Sequence, residues 1–311
     1  MLAVVFPGQG SQTIGMAMDF VRAHAEARAA IDEADSAFGG GLRRLLESGP
    51  ASELARTEIT QPAILAASIA IWRVVEPRLP RAPLLFAGHS LGEYSALVAA
   101  GGLPLSDAVR LVRRRGALMQ EAVPEGEGAM AAVLGLEAAD VTRICAEVDG
   151  VVAPANFNSP VQTVIAGRRA AVSVACERMT AAGAKRVIAL DVSAPFHCEL
   201  MAPAMEKLAP ELEAARFSDL RVPVISNVDA QPYTSAAVAR ARLREQVCAP
   251  VRWVDCVRKL VASGARLELE VGPGKVLSGL AAKIDRTLAR ANVEKLEDLD
   301  SSLARAAEAC A

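Results

Sequence analysis

A serine set between two glycines, Gly88-His89-Ser90-Leu91-Gly92, carries the strongest chemical signal in the chain. It fits G-x-S-x-G, the pattern of a nucleophile on a turn too tight for side chains at its flanks. The apolar run at 84–87 reads as a short buried strand, and the Ala- and Leu-rich stretch at 93–100 as the start of a helix. A serine between strand and helix presents its hydroxyl above the sheet. The Leu91 amide and the positive helix N-terminus then lie where an oxyanion would form. The bland alternative, a glycine-rich turn with a passive serine, fits that context poorly.

Such a serine needs a base, and the chain has three histidines, His24, His89 and His197. His24 falls in a polar helical pattern and reads as solvated. His89 belongs to the turn itself. His197 lies in Ser193-Ala194-Pro195-Phe196-His197-Cys198, where the chain returns from one domain to another, and is the favoured base. A structural role, commoner for a lone histidine, stands beside that reading. Cys198 could be a nucleophile but reads better as a reduced bystander. The cysteines at 145, 176, 198, 248, 256 and 310 contain no C-x-x-C, which argues against a disulfide framework and a zinc site; no metal is expected. Arg113, Arg114 and Arg115 cannot all face solvent at helical spacing, so one of them should meet a different environment; the plain alternative is a solvated face.

The elements that must hold these residues follow from pattern. Residues 2–6 read as a buried strand that breaks at Pro7-Gly8-Gln9-Gly10-Ser11-Gln12, with helix through about Ser36. This loop lacks the third glycine of G-x-G-x-x-G and any G-K-[ST], so it fits nucleotide phosphates poorly. It reads as a means of bringing backbone amides and Gln9 to a ligand, or as a plain tight turn. Residues 40–83 read as helices, the longest at 61–75. Ser106-Asp107 are candidate caps for a helix running to Pro124. Residues 126–194 read strand–helix–strand–strand–helix–strand, the split pattern of a ferredoxin-like unit inserted into a main domain of 1–125 and 195–311. The joins at 124–128 and 194–196 would allow it to move. Further helices and strands follow, with a turn at Gly272-Pro273-Gly274 and a helical, polar tail.

At 311 residues and 52% hydrophobic content the chain suits an α/β enzyme. A net charge of -2 without an aromatic-interleaved basic patch excludes an argument for nucleic acid. The longest apolar run, at 63–72, falls short of a membrane span, and the N-terminus lacks the basic region of a signal peptide. The expectation is a cytoplasmic protein, monomeric by default, away from membranes.

Six motifs occur in order: F-P-G-Q-G-S-Q at 6–12, G-H-S-L-G-E-Y-S-A at 88–96, R-R-G-A-L-M-Q at 114–120, A-P-F-H-C at 194–198, Q-V-C-A-P-V-R-W at 246–253 and E-V-G-P-G-K-V-L at 270–277. Together they resemble the malonyl-CoA:acyl carrier protein transacylases, from residue 3 to about 285. The resemblance implies an α/β-hydrolase-like core with a parallel sheet and an inserted ferredoxin-like subdomain. It implies Ser90 as nucleophile and His197 as base, oriented by the backbone carbonyl of Gln246 in place of an aspartate. The amides of Gln9 and Leu91 would form the oxyanion hole, and Arg115 would hold the malonyl carboxylate. Phe196 would narrow the acyl pocket, and the Leu91 side chain is compatible with malonyl over branched groups. Asn158 and His89 either support the site or are structural. The implied substrates are malonyl-CoA and the phosphopantetheine thiol of an acyl carrier protein, with no cofactor. Lys185, Arg186 and Lys275 are candidates for a basic docking rim. Two other classes stay open: a serine thioesterase or esterase, and a non-catalytic carrier-docking scaffold. Within the family, a discrete polyketide acyltransferase stands beside the fatty-acid enzyme.

Overall fold

The computed structural model describes residues 1–192 and 194–311; the expectation that touched Ser193 lies outside the described residues. Strand β1 (Leu2–Phe6) leads through a glycine loop to helices α1 (Met18–Ala23), α2 (Ala25–Phe38), α3 (Leu42–Ser48), α4 (Ala51–Leu54) and α5 (Thr57–Val75). Next come β2 (Leu85–Gly88), α6 (Leu91–Ala99) and α7 (Leu105–Glu121). The central stretch is β3 (Gly128–Leu134), α8 (Ala138–Ala146), β4 (Val152–Ser159), β5 (Gln162–Arg168), α9 (Arg169–Ala181) and β6 (Arg186–Ala189). The chain then forms α10 (Ala202–Ala214), β7 (Val224–Ile225), β8 (Pro232–Tyr233), α11 (Ala236–Gln246) and α12 (Trp253–Ala262). It closes with β9 (Leu267–Val271), α13 (Val276–Ile284), β10 (Ala289–Val293) and α14 (Leu299–Cys310).

The main sheet runs β10-β9-β1-β2-β7-β8 and is parallel except for β8. A parallel strand is buried on both faces, and the two-residue period of β1 sorts its side chains accordingly. Leu2, Val4 and Phe6 join the core under α5, while Ala3 and Val5 face the layer that holds α12 and α13. Phe6 and Phe86 pack against Trp72 of α5, with ring centroids 6.1 and 5.3 Å away, both edge-on. The architecture is the α/β core with a parallel sheet that the resemblance implied.

The second sheet, β4-β5-β3-β6, is antiparallel throughout. With α8 and α9 on one face, it has the ferredoxin-like arrangement. Its strands alternate: Ala131, Val133 and Ile165 pack with α8 and α9, whereas Met130, Ala132, Val164 and Ala166 join the main core. Backbone bonds from Phe157 to Val251 and from Val251 to Ala155, both 2.9 Å, stitch β4 to the main body. The joins expected to allow movement therefore connect two units that share a core.

Four local expectations are corrected. His24 adopts extended backbone (φ -127°, ψ 130°) and divides the expected single helix into α1 and α2. Helix α7 begins at Leu105 after Pro104. Asp107 does not cap it but bonds Arg216 Nε at 2.9 Å and Arg110 at 2.6 Å. The tail read as wholly helical contains β10, an edge strand whose alternating Arg290 and Asn292 interrupt the apolar run that marks buried strands. Helix α5 starts four residues earlier than the sequence suggests. With its extension to Arg78 it is long and apolar enough to cross a membrane, but 89% of that window is buried inside the protein, as a core helix would be.

Helix α7 comes close to the start of α5 at Gly116, next to Arg115. A Cβ there would lie 2.6 Å from Thr57 O and 2.8 Å from Glu58 Cα, both backbone atoms that cannot rotate away. Gly116→Ala is expected to lower stability by about 1–3 kcal/mol through this overpacking. The check is urea unfolding, with a lower midpoint at an unchanged slope.

Candidate active site

The turn between β2 and α6 is built by close approach. A Cβ on Gly88 would lie 2.0 Å from the Gly92 carbonyl, one on Gly92 2.1 Å from Phe6 O, and one on Gly8 2.4 Å from His89 O. Only glycine fits at these three contacts, which bring the β1 loop against the Ser90 turn. Ser90 itself sits at φ 51°, ψ -105°, a strained conformation for a residue with a side chain. Asn227, just past β7, braces it: the Ser90 N–H donates to Asn227 Oδ1 at 2.7 Å, and Asn227 Nδ2 donates to Gly88 O at 2.8 Å.

The structure brings His197 to Ser90. The imidazole Nδ1–H is shared between Gln246 O at 2.9 Å and Ala249 O at 3.2 Å. That leaves Nε2 free of a proton to accept from Ser90 Oγ at 2.7 Å. His197 is buried, and burial together with the Arg115 guanidinium pushes its pKa down to about 3. The ring is a neutral acceptor. Cys198 points away, its thiol donating to Pro195 O and pushed up to about 11 by burial.

Arg115 is the member of the arginine triplet that turns inward, with 1% of its surface exposed. Arg113 stacks over Phe38 and Arg114 lies 3.6 Å from Glu211. Arg115 Nη2 donates to Ser90 Oγ and to Gln246 Oε1, each at 3.0 Å, and Nη1 donates to Gln61 Oε1 at 2.9 Å. Its carbon lies 5.7 Å from the Tyr94 ring centroid. Among the described residues no carboxylate lies within ion-pair distance of it. A charge so deep is held by neutral amide oxygens.

Ser90, His197, Arg115, Phe196, His89 and Gln9 all line one cavity of about 400 Å³, together with Gln61, Met130 and Asn156. The Leu91 side chain is buried in the core and does not line it, so only its amide, at the first position of α6, is placed near Ser90. Asn158 does not line it either; it bonds His89 Nε2 at 2.8 Å, behind the turn, where burial lowers the His89 pKa. Lys185 and Arg186 are exposed at the far end of β6, four residues or about 13 Å from Leu190 at the cavity. Lys275 lies 3.9 Å from Asp298.

Four buried residues escaped sequence reasoning: Gln61, Glu93, Asn227 and Tyr233. One signal existed, since Glu93 is a lone acid in an otherwise apolar helical stretch. Its carboxylate accepts from Asn227 N at 3.0 Å, Gln246 Nε2 at 2.7 Å and Tyr233 OH at 2.9 Å. Burial nevertheless pushes its pKa up to about 7. Among the described residues no three His, Cys, Asp or Glu side chains cluster as a metal site. The arrangement is an activated hydroxyl beside a fixed buried cation, suited to acyl transfer with an anionic substrate group.

The family model described as acyl transferase domain matches residues 3–301. The chain is 50% identical over 288 residues to the malonyl CoA-acyl carrier protein transacylase of Escherichia coli, covering 92% of this chain and 93% of the relative. It is 48% identical over 303 residues to that of Salmonella typhimurium, with 97% and 98% covered. Among solved structures, an acyl carrier protein S-malonyltransferase from Vibrio cholerae superposes with a TM-score of 0.94 at 46% identity, covering 96% of this chain and 99% of the other. A malonyl-transacylase in complex with its type II polyketide acyl carrier protein gives 0.95 at 48% identity, with 98% and 99% covered.

A base whose pKa lies well below the ordinary histidine value of about 6.5 keeps its neutral form in mild acid. Reaction of Ser90 with an organophosphorus serine reagent is therefore expected to stay level through pH 6.5 and to fall only at lower pH. Arg115→Ala removes one cause of the depression, burial and the neighbouring His89 being the others, so its acid limb should move upward. A parent limb centred at 6.5 and unmoved by the substitution would contradict this electrostatic account.

Proposed function

The chain belongs to the acyl transferase family, and from that premise we propose that it moves malonyl from malonyl-CoA to the phosphopantetheine thiol of an acyl carrier protein. The observation that carries this reading is Arg115, buried without a carboxylate partner 3.0 Å from the hydroxyl that reacts. A malonyl group ends in a carboxylate two carbons beyond the acyl carbonyl, within reach of that guanidinium. A group without the carboxylate would leave the buried cation unanswered.

The proposed reaction is ping-pong. His197 Nε2 takes the Ser90 proton as Oγ attacks the thioester carbonyl, and the resulting oxyanion is held by the amides of Gln9 and Leu91. As the C–S bond breaks, the imidazolium returns the proton to sulfur and CoA leaves as the thiol. A malonyl-serine ester remains. The carrier's thiol gives its proton to His197, attacks the ester, and Ser90 recovers its proton as the C–O bond breaks. The Gln246 carbonyl keeps the imidazole in one tautomer throughout. Phe196 and Met130 make the cavity wall apolar near the carbonyl, which disfavours water as acceptor. His89, held by Asn158, supports the turn from behind. The substrates supply all the reacting groups, so no cofactor is required.

The relatives' names support an acyl carrier protein as acceptor; the reading proposed is a cytoplasmic monomer serving fatty-acid synthesis, away from membranes. The 48% identity to a transacylase solved with a polyketide carrier favours a second acceptor of that kind. The inserted unit, residues 126–194, would form one wall of the carrier's approach. Against a thioesterase stands the buried guanidinium with no carboxylate in contact, which hydrolysis of a neutral acyl group does not use.

Intact mass after brief exposure to malonyl-CoA or acetyl-CoA tests the reading. The parent should gain a malonyl adduct, and Ser90→Ala none. A charge-assisted bond contributes about 1.5–3 kcal/mol, so Arg115→Ala should lower the malonyl-over-acetyl preference by about ten- to a hundredfold. Steady CoA release without an adduct or carrier transfer would identify a hydrolase instead.

A further inference from the structure

Glu93 has no part in the reaction above, yet it lies one side chain away from the cation that selects the substrate. Arg115 Nη2 donates to Gln246 Oε1 at 3.0 Å, and the other end of that amide, Nε2, donates to Glu93 Oε2 at 2.7 Å. The amide cannot turn over, because Nε2 also donates to Ser90 O at 3.1 Å. A rigid neutral group thus joins the buried guanidinium to the buried carboxylate, and Glu93 is the counter-charge of Arg115 at one remove.

The rest of its surroundings supply little further charge. Tyr94 adjoins it on α6, Tyr233 faces it from β8 and the Cys256 thiol from α12. Arg242 of α11 is also coupled to it but is engaged by Asp229 at 2.5 Å and Glu245 at 2.7 Å. Without substrate, the ionised pair Arg115 and Glu93 sums to zero. Adding a substrate carboxylate to Arg115 leaves a buried net negative charge, which a low-dielectric interior resists. One group can remove it. A proton on Glu93 Oε1 would reverse the 2.9 Å bond with Tyr233, whose hydroxyl now donates to Oε1 and would then accept from it, while Oε2 keeps its bonds from Gln246 and Asn227.

We propose that Glu93 is a positioning and charge-compensating residue, and that it takes up a proton when the malonyl carboxylate occupies Arg115 but not when an acetyl group does. This rests on the reading of Arg115 as the carboxylate's partner. Glu93 acts through Gln246 and touches no reacting atom. Its environment also leaves it able to titrate near neutrality, since burial already pushes its carboxyl up to about 7 without substrate.

The test is titration calorimetry on Ser90→Ala protein, which binds without reacting, in buffers of different ionisation enthalpy at pH 8. The CoA phosphates contribute equally to both ligands, so the malonyl-minus-acetyl difference isolates the acyl site. The expected difference is about one proton taken up per site, with malonyl-CoA affinity falling about tenfold per pH unit above neutrality. Adding Glu93→Gln, which keeps the shape and can still donate to Tyr233, should abolish both the uptake and the pH slope while malonyl-CoA remains bound. A merely structural glutamate would lose affinity at every pH and leave the slope intact. Should that variant not fold, an infrared difference spectrum of the Ser90→Ala protein gives the same answer: a protonated-carboxyl band should appear with malonyl-CoA and not with acetyl-CoA. Equal proton counts for the two ligands, or uptake that survives Glu93→Gln, overturns the proposal and leaves the Arg115 reading standing. Loss of any malonyl preference that Arg115→Ala can change overturns both.

Discussion

A guanidinium buried with no carboxylate at ion-pair distance is the constraint on which the rest of the site depends. Removing such a charge from water costs several kcal/mol even after the protein relaxes, and the return must come from well-placed hydrogen bonds. Arg115 receives them from Gln61 on α5 and Gln246 at the end of α11, with the Tyr94 ring of α6 alongside. Each of these groups arrives on a different element, so the pairing of α5 with α7 and the return of the chain through α11 are requirements of the charge. The glycine at 116 lets α7 come close enough to α5 for Gln61 to reach. The bonds to the two amide oxygens are charge-assisted. Their convergence on one cation makes its position exact within the limits of packing.

The sequence makes the reacting pair legible and conceals its surroundings. Ser90 is readable because a strand, two glycines and a helix leave it one geometry, and the close contacts at Gly88 and Gly92 are the physical content of that pattern. His197 is readable because the chain offers so few alternatives. Arg115 follows from helical periodicity only as an odd member of a triplet, and its burial had to come from the resemblance. The order strand–helix–strand–strand–helix–strand made the inserted sheet legible. Asn227, Gln61 and Tyr233 were not, since a polar residue in a loop or helix has the same signature whether it braces a turn or faces water. The strand β10 was missed for a related reason: at a sheet edge, polar residues can take alternate positions, so the apolar run that identifies a buried strand is absent.

The use of a carbonyl to orient His197 follows from the same cation. An aspartate in that place would fix the tautomer equally well, but it would bring a second negative charge beside Arg115 and compete with an anionic substrate for it. The Gln246 carbonyl orients the ring without charge, and the Gln246 side chain meets Arg115 in the same way. One residue therefore serves both base and cation while neutralising neither. The consequence is a base weakened first by burial and further by the nearby positive charge, with its pKa pushed down to about 3. On the proposed reading, an anion resting on Arg115 would offset that repulsion, so a substrate that ends in a carboxylate would strengthen the base that activates Ser90. A substrate without one leaves the base weak. Selectivity built this way acts on the chemical step as well as on binding, which a pocket relying on size alone would not achieve.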